Sequence, residues 1–140
     1  MDNPYYERLV NAALRFVSFR PRSEKELTDF LTKKMSKWEV IGVPLLTKVV
    51  ERMRELGYVD DKKFADWWIQ QRSAFRPKGK RAIAYELRKK GVTLDFSLDE
   101  YTLAKKAIAK KPKNVISYLY SRGFSSETIR RVIDGLTKKD

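Results

Sequence analysis

The chain contains neither cysteine nor histidine. That excludes disulfides, thiolate nucleophiles, imidazole bases and the commonest zinc and haem ligands. We therefore expect no catalytic residues, no cofactor and no metal. No apolar run approaches the roughly 18 residues that a membrane span needs, and the first residues, Met1, Asp2, Asn3 and Pro4, lack the basic and apolar regions of a signal peptide. A soluble cytoplasmic monomer is expected. Acidic side chains are also in short supply: 31 Lys and Arg face 18 Asp and Glu, a formal charge of +13. Residues 1–71 carry 13 basic and 11 acidic side chains, whereas residues 72–140 carry 18 and 7. Such an excess favours a polyanion or an acidic protein surface as partner, met mainly by the second half.

What is present is a repeated phrase. Phe19, Arg20, Pro21, Arg22 and Ser23 recur 56 positions later as Phe75, Arg76, Pro77, Lys78 and Gly79, each followed by a helical pattern carrying Leu31 or Leu87. An aromatic, a cation and a proline kept at a helix junction indicate a duplicated supersecondary unit, and repeats of this kind present surfaces rather than pockets. Apolar content of 42% suffices for a core. Its spacing is helical throughout: Leu9, Ala13, Phe16 and Val17; Leu46, Val49, Val50, Met53 and Leu56; Phe64, Trp68 and Phe75; Val115, Ile116 and Leu119; Ile129, Val132, Ile133 and Leu136. Nothing alternates as a strand would.

Cap chemistry sets the element ends. Asn3 before Pro4, Ser23 with Glu26, Asp60, Ser97 with Glu100, and Ser125 read as helix starts. Gly57, Gly91 and Gly123, each followed by an apolar residue (Tyr58, Val92, Phe124), read as helix stops. The expected fold is all-α: about eight helices in tandem three-helix repeats over residues 1–57, 58–97 and 98–140, forming an elongated or curved array. The middle repeat is shortened, because only Val92 to Phe96 separate Gly91 from the next start.

The densest signal lies between Arg72 and Lys90, where eight cations accompany a single acid, Glu86. Arg81, Tyr85 and Arg88 fall opposite Ile83 and Leu87 on a helix. Ordinary solubilising faces mix acids with bases, so this shortage of acids points to binding. The candidate contact residues are Arg20, Arg22, Arg72, Arg76, Lys78, Lys80, Arg81, Arg88, Lys89, Arg122, Arg130 and Arg131. A lysine stripe (Lys105, Lys106, Lys110, Lys111, Lys113) ranks below the paired phrase. Trp67, Trp68 and Phe75 are read as core and Asp60, Asp61 and Asp66 as helix-start charges. The Pro77–Lys80 turn lacks the strand and spacing of a phosphate loop.

Gly57, Tyr58, Val59, Asp60 and Asp61, then Phe64 and Ala65, then Gly79, Ile83, Glu86, Leu87, Lys90, Gly91 and Val92, with Leu119, Arg122, Gly123, Phe124, Ser125, Ile129 and Val132 downstream, resemble the RecX family of regulatory proteins over about residues 9–136. The resemblance implies tandem three-helix units that lie in the groove of the RecA filament on DNA and lower ATP hydrolysis, strand exchange and cleavage of the SOS repressor. Single- or double-stranded DNA, contacted directly by the basic surface, is a further candidate partner. The shortened middle repeat departs from the family pattern. Two other readings remain open at this stage: a stand-alone basic DNA-binding protein, helix-turn-helix-like or nucleoid-associated, and an adaptor for an acidic protein.

Overall fold

The computed structural model describes residues 3–137. Its order is α1 (Tyr6–Phe19), α2 (Glu24–Lys37), α3 (Val43–Glu55), α4 (Asp61–Ala74), α5 (Lys80–Lys89), α6 (Glu100–Ala107) with a 3-10 turn at Ile108–Lys110, α7 (Val115–Ser121) and α8 (Ser126–Thr137). Among the described residues there are eight α-helices and no strand, as expected. Residues 92–98 contain no helix, so α5 is followed by an extended connection where a third helix of the middle repeat would stand.

The chain forms two compact units. Of the described residues, one comprises 3–67 together with Lys90–Val92; the other comprises Trp68–Lys89 and 93–137. In the first, Leu9 and Ala13 of α1, Leu27, Leu31 and Met35 of α2, and Val49, Val50 and Met53 of α3 form one buried cluster that Val59 completes. In the second, Leu103, Ala104 and Ala107 of α6, Leu119 of α7, Phe124, and Ile129 and Val132 of α8 form another. Both clusters use one apolar stripe per helix, so each helix is held by burial of that stripe more than by its own propensity.

Most cap signals act as read. Ser23 Oγ accepts from Glu26 N–H at 3.1 Å and the Glu26 carboxylate accepts from Ser23 N–H at 3.0 Å. Asp60 accepts from Lys62 and Lys63 N–H, and Ser125 from Thr128 N–H. Gly57, Gly91 and Gly123 are all left-handed. Four expectations are corrected. The cap of α6 is Asp99, which accepts from Thr102 N–H at 3.2 Å, not Ser97, because Glu100 is turned to other helix ends and cannot close a box with Ser97. Asn3 bonds Tyr5 N–H, and α1 begins at Tyr6 without a side-chain cap. Tyr58, after Gly57, makes the expected backbone return to the Met53 carbonyl (3.0 Å), but its ring is exposed and Val59 enters the core instead. Leu56, Phe75, Ile116 and Leu136, read as inward, are exposed as well. Phe75 lies just past the end of α4, where the helical phase that aimed it inward has stopped.

A repeated junction emerges around the N-termini of α2 and α5. The first free amide of α2, Glu24 N–H, donates to Asp61 at the start of α4 (2.8 Å). The matching amide 56 positions on, Lys80 N–H of α5, donates to Glu100 at the start of α6 (2.6 Å). The stop glycine that follows each next repeat's second helix presses on the same helix start: a Cβ on Gly91 would lie 2.6 Å from Lys25 Cβ, and one on Gly123 would lie 2.5 Å from Ala82 Cβ.

Gly79 closes the second junction. Its N–H donates to the Arg122 carbonyl at 2.9 Å, and an added Cβ would stand 2.3 Å from the Gly123 carbonyl oxygen, a backbone atom that cannot swing away. Gly79→Ala should therefore destabilise the protein by about 3 kcal/mol in urea unfolding. A wild-type midpoint for this variant would contradict the backbone contact.

Candidate functional site

The structure sorts the cations by whether a carboxylate holds them. In the first unit Glu26 accepts from Arg20, from Ser23 N–H and from Lys90 Nζ at 3.3 Å. Burial disfavours its charge, but those hydrogen bonds and the nearby Arg20 and Lys90 charges outweigh burial and hold the carboxyl below its ordinary range. In the second unit Glu86 accepts from Trp68 Nε1 (3.0 Å), Arg72 Nε (2.8 Å) and Lys78 Nζ (2.8 Å). Its carboxyl is likewise disfavoured by burial and lowered on balance by these three donors. Glu100, which burial also opposes, is lowered by Lys80 N–H, Thr128 Oγ1 and Ser125 N–H, so one carboxylate gathers the N-termini of α5, α6 and α8.

The two copies of the repeated phrase are thus used differently. Arg22 donates to the Phe16 carbonyl (3.1 Å) and lies 4.0 Å from the Phe16 ring, which stacks on Phe30 at 4.1 Å. Fifty-six positions on, the same three places hold Lys78, Arg72 and Glu86, joined by ion pairs. Arg22 is lowered by burial and by neighbouring Arg20. Arg20 extends toward Glu26 with its guanidinium over Trp67 (5.4 Å), whereas Arg76 adopts a left-handed φ of 52° and is exposed. For a residue with a Cβ, that conformation costs about 1–2 kcal/mol.

Of the twelve sequence-selected residues, Arg20, Arg72 and Lys78 are therefore joined to carboxylates and Arg22 to an aromatic pair. Lys80 reaches Asp95 at 3.2 Å across an exposed pair of the kind that stabilises little. Arg76, Arg81, Arg88, Lys89, Arg130 and Arg131 are exposed. Along α5, Arg81, Tyr85, Arg88 and Lys89 share one face. The Tyr85 ring, 52% exposed, has Lys89 at 4.9 Å and Arg88 at 5.9 Å, and Arg81 lies 4.8 Å from the Tyr120 ring, 56% exposed, while donating to the Tyr120 carbonyl at 2.8 Å. Cations set on exposed tyrosines can meet phosphates, bases or acidic side chains.

A second gathering was only partly legible. Arg76 and Arg122 line a cleft of about 340 Å³ with Pro77, Lys106, Lys110 and Tyr118. Lys106 and Lys110 belong to the lysine stripe that ranked below the repeated phrase. The signal that would have raised them is a third copy of the cation–proline–cation turn, Lys111, Pro112 and Lys113, where Lys111 takes φ 54° as Arg76 takes 52°. Asn114 then caps α7, as Ser23 caps α2.

An all-helical protein of tandem helical repeats, with a basic face on its second unit, is a member of a defined class. The family model described as "RecX, first three-helix domain" matches residues 10–36, and "RecX, second three-helix domain" matches residues 60–95. The chain is 32% identical to the regulatory protein RecX of Prosthecochloris aestuarii over 97% of this chain and 98% of that one. It is 41% identical to that of Mycolicibacterium smegmatis over 61% of this chain and 33% identical to that of a Geobacillus strain over 96%. It spans about half the length of these last two relatives, 43% and 55%. The crystal structure of RecX from Lactobacillus salivarius shares the fold, with a TM-score of 0.76 at 23% identity over 94% of this chain and 96% of that one. The chain belongs to the RecX family of regulatory proteins.

The lowered carboxyls set a pH dependence. A group whose folded value lies below its unfolded one stabilises fully above the ordinary carboxylate value of 4.5 and loses that contribution as pH falls through the folded value. The melting temperature should hold steady from pH 7 to 5 and fall below about pH 4.5. Glu86→Gln should cost about 1.5–3 kcal/mol at pH 7 and flatten the acid decline. An acid profile unchanged by the substitution would show that Glu86 is not a stabilising centre.

Proposed function

We propose that this chain is a non-enzymatic regulator of the RecA recombinase that binds the RecA filament on DNA through its basic surface and lowers ATP hydrolysis, strand exchange and SOS co-protease activity. The carrying observation is the α5 face, where Arg81, Arg88 and Lys89 stand with two exposed tyrosines while the nearest acid on that helix, Glu86, is turned inward to Trp68, Arg72 and Lys78. Family membership supports the same reading. The protein acts in the cytoplasm as a monomer, through helical modules over residues 1–57, 58–97 and 98–140. Modest contacts repeated along a periodic partner sum to useful avidity without any deep pocket.

Sequence-specific duplex reading has less support. The outward cations of α8, Arg130 and Arg131, stand beside no Asn or Gln, the side chains that with Arg read base edges, and Arg131 is laid on the Tyr101 ring at 4.4 Å.

Titration into RecA assembled on single-stranded DNA should slow ATP turnover at less than one regulator per recombinase subunit. The triple variant R81A/R88A/K89A should fold normally and need at least about tenfold more protein for the same effect. Unchanged turnover and strand exchange across a full titration of the wild-type chain would refute the function. Equal potency of the triple variant would refute the assignment of the face.

A further inference from the structure

The cleft between the α4–α5 turn and the helices α6 and α7 carries charge of one sign. Its walls are Arg76, Pro77, Lys106, Ala107, Lys110, Tyr118 and Arg122, four cations and no carboxylate. Four like charges around about 340 Å³ repel one another, and a fold that only needed solubility would interleave an acid. The cations are also unspent. Among the described residues the side chains of Arg76 and Lys110 make no hydrogen bond or ion pair. Arg122 rests on the Tyr118 ring at 5.0 Å and its side chain has no acidic partner. Lys106 is tethered by its ammonium to the Ser73 and Ala74 carbonyls at 2.9 and 3.3 Å, which fixes one charge in the wall.

The corresponding turn of the first unit serves as an internal control. The cleft there is lined by Arg20, Arg22 and Lys63, but Asp60 shares its wall, Arg20 is bound to Glu26 and Arg22 lies on Phe16. Of the two cations in the second unit's turn, Lys78 turns inward to Glu86, and the left-handed Arg76, one proline earlier, lines the cleft.

We propose that this cleft binds a phosphate oxyanion, with Arg76, Lys110 and Arg122 as direct ligands and Lys106 as a fixed charge. Guanidinium groups supply paired donors to phosphate oxygens and lysines supply point charge. The proposal deepens the function above by naming the ligand of one cleft, and it is tested without any recombinase, so the two can fail separately. A phosphate of a nucleic-acid backbone and a free phosphate ion share this chemistry.

The test is a two-dimensional amide NMR titration of the isolated chain with inorganic phosphate and, separately, with a short oligothymidylate. The Ala107, Lys110 and Arg122 signals should shift saturably with phosphate. If the oligonucleotide shifts the same signals and phosphate competes with it, the source is the nucleic-acid backbone; if it leaves them unmoved while phosphate saturates, the source is the free ion. Both results support the site. Arg76→Gly suits the left-handed backbone and so should not impair folding, and with Lys110→Ala it should weaken phosphate binding at least about tenfold. Lys33→Ala, an exposed cation of α2 outside the cleft, should change it less than about twofold. Shifts that stay linear in phosphate, or binding equal in R76G/K110A and the wild type, would overturn the proposal.

Discussion

Three inward carboxylates organise this protein. Glu26, Glu86 and Glu100 each collect several donors in a partly buried setting, and each is held ionised by them against the cost of burial. Removing such a carboxylate would leave half-buried cations or free helix-terminal amides without partners, which is costlier than losing an exposed ion pair. Of the seven acids of the second half, Glu86 and Glu100 are thus used where they bind the fold together. Arg88 and Lys89 of α5, and Arg76, Lys110 and Arg122 of the α6–α7 cleft, have no carboxylate bound to them among the described residues.

The same economy explains how related repeats came to differ. Phe16, Arg22 and Phe30 in the first copy correspond to Arg72, Lys78 and Glu86 in the second. One is a cation laid on stacked rings and the other a carboxylate between two cations. Both fix the proline turn at the start of the next helix. The junction itself is kept more strictly: an acid from the following repeat takes the first amide of α2 and of α5, and a left-handed glycine presses on the same helix start.

The helices were legible because their ends carry side-chain chemistry and their stripes keep one period. Ser23, Asp60 and Ser125 cap as their types imply, and Gly57, Gly91 and Gly123 stop helices. The failures have a common cause. Ser97 lost its partner because Glu100 is engaged by α5 and α8, residues 20 to 28 positions away in sequence that no local pattern reveals. The site was legible as a region and not as a list. Charge density located α5, but whether Arg72 or Arg81 stays available depends on where Glu86 points, and that is set by Trp68 and Lys78 across a helix pair. The lysine turn at Lys111–Lys113 was readable as a third copy; its changed spacing hid it.

The central claim is that cations not consumed by these carboxylates form the surface by which the chain holds a recombinase filament on DNA. An electron cryomicroscopy reconstruction of the protein on RecA bound to single-stranded DNA tests it most directly. The account predicts density for the helices in the filament groove, with Arg81, Arg88 and Lys89 of α5 facing phosphates or acidic recombinase side chains. A bound protein whose α5 face is turned to solvent, or a filament that carries no such density at saturating protein, would contradict it.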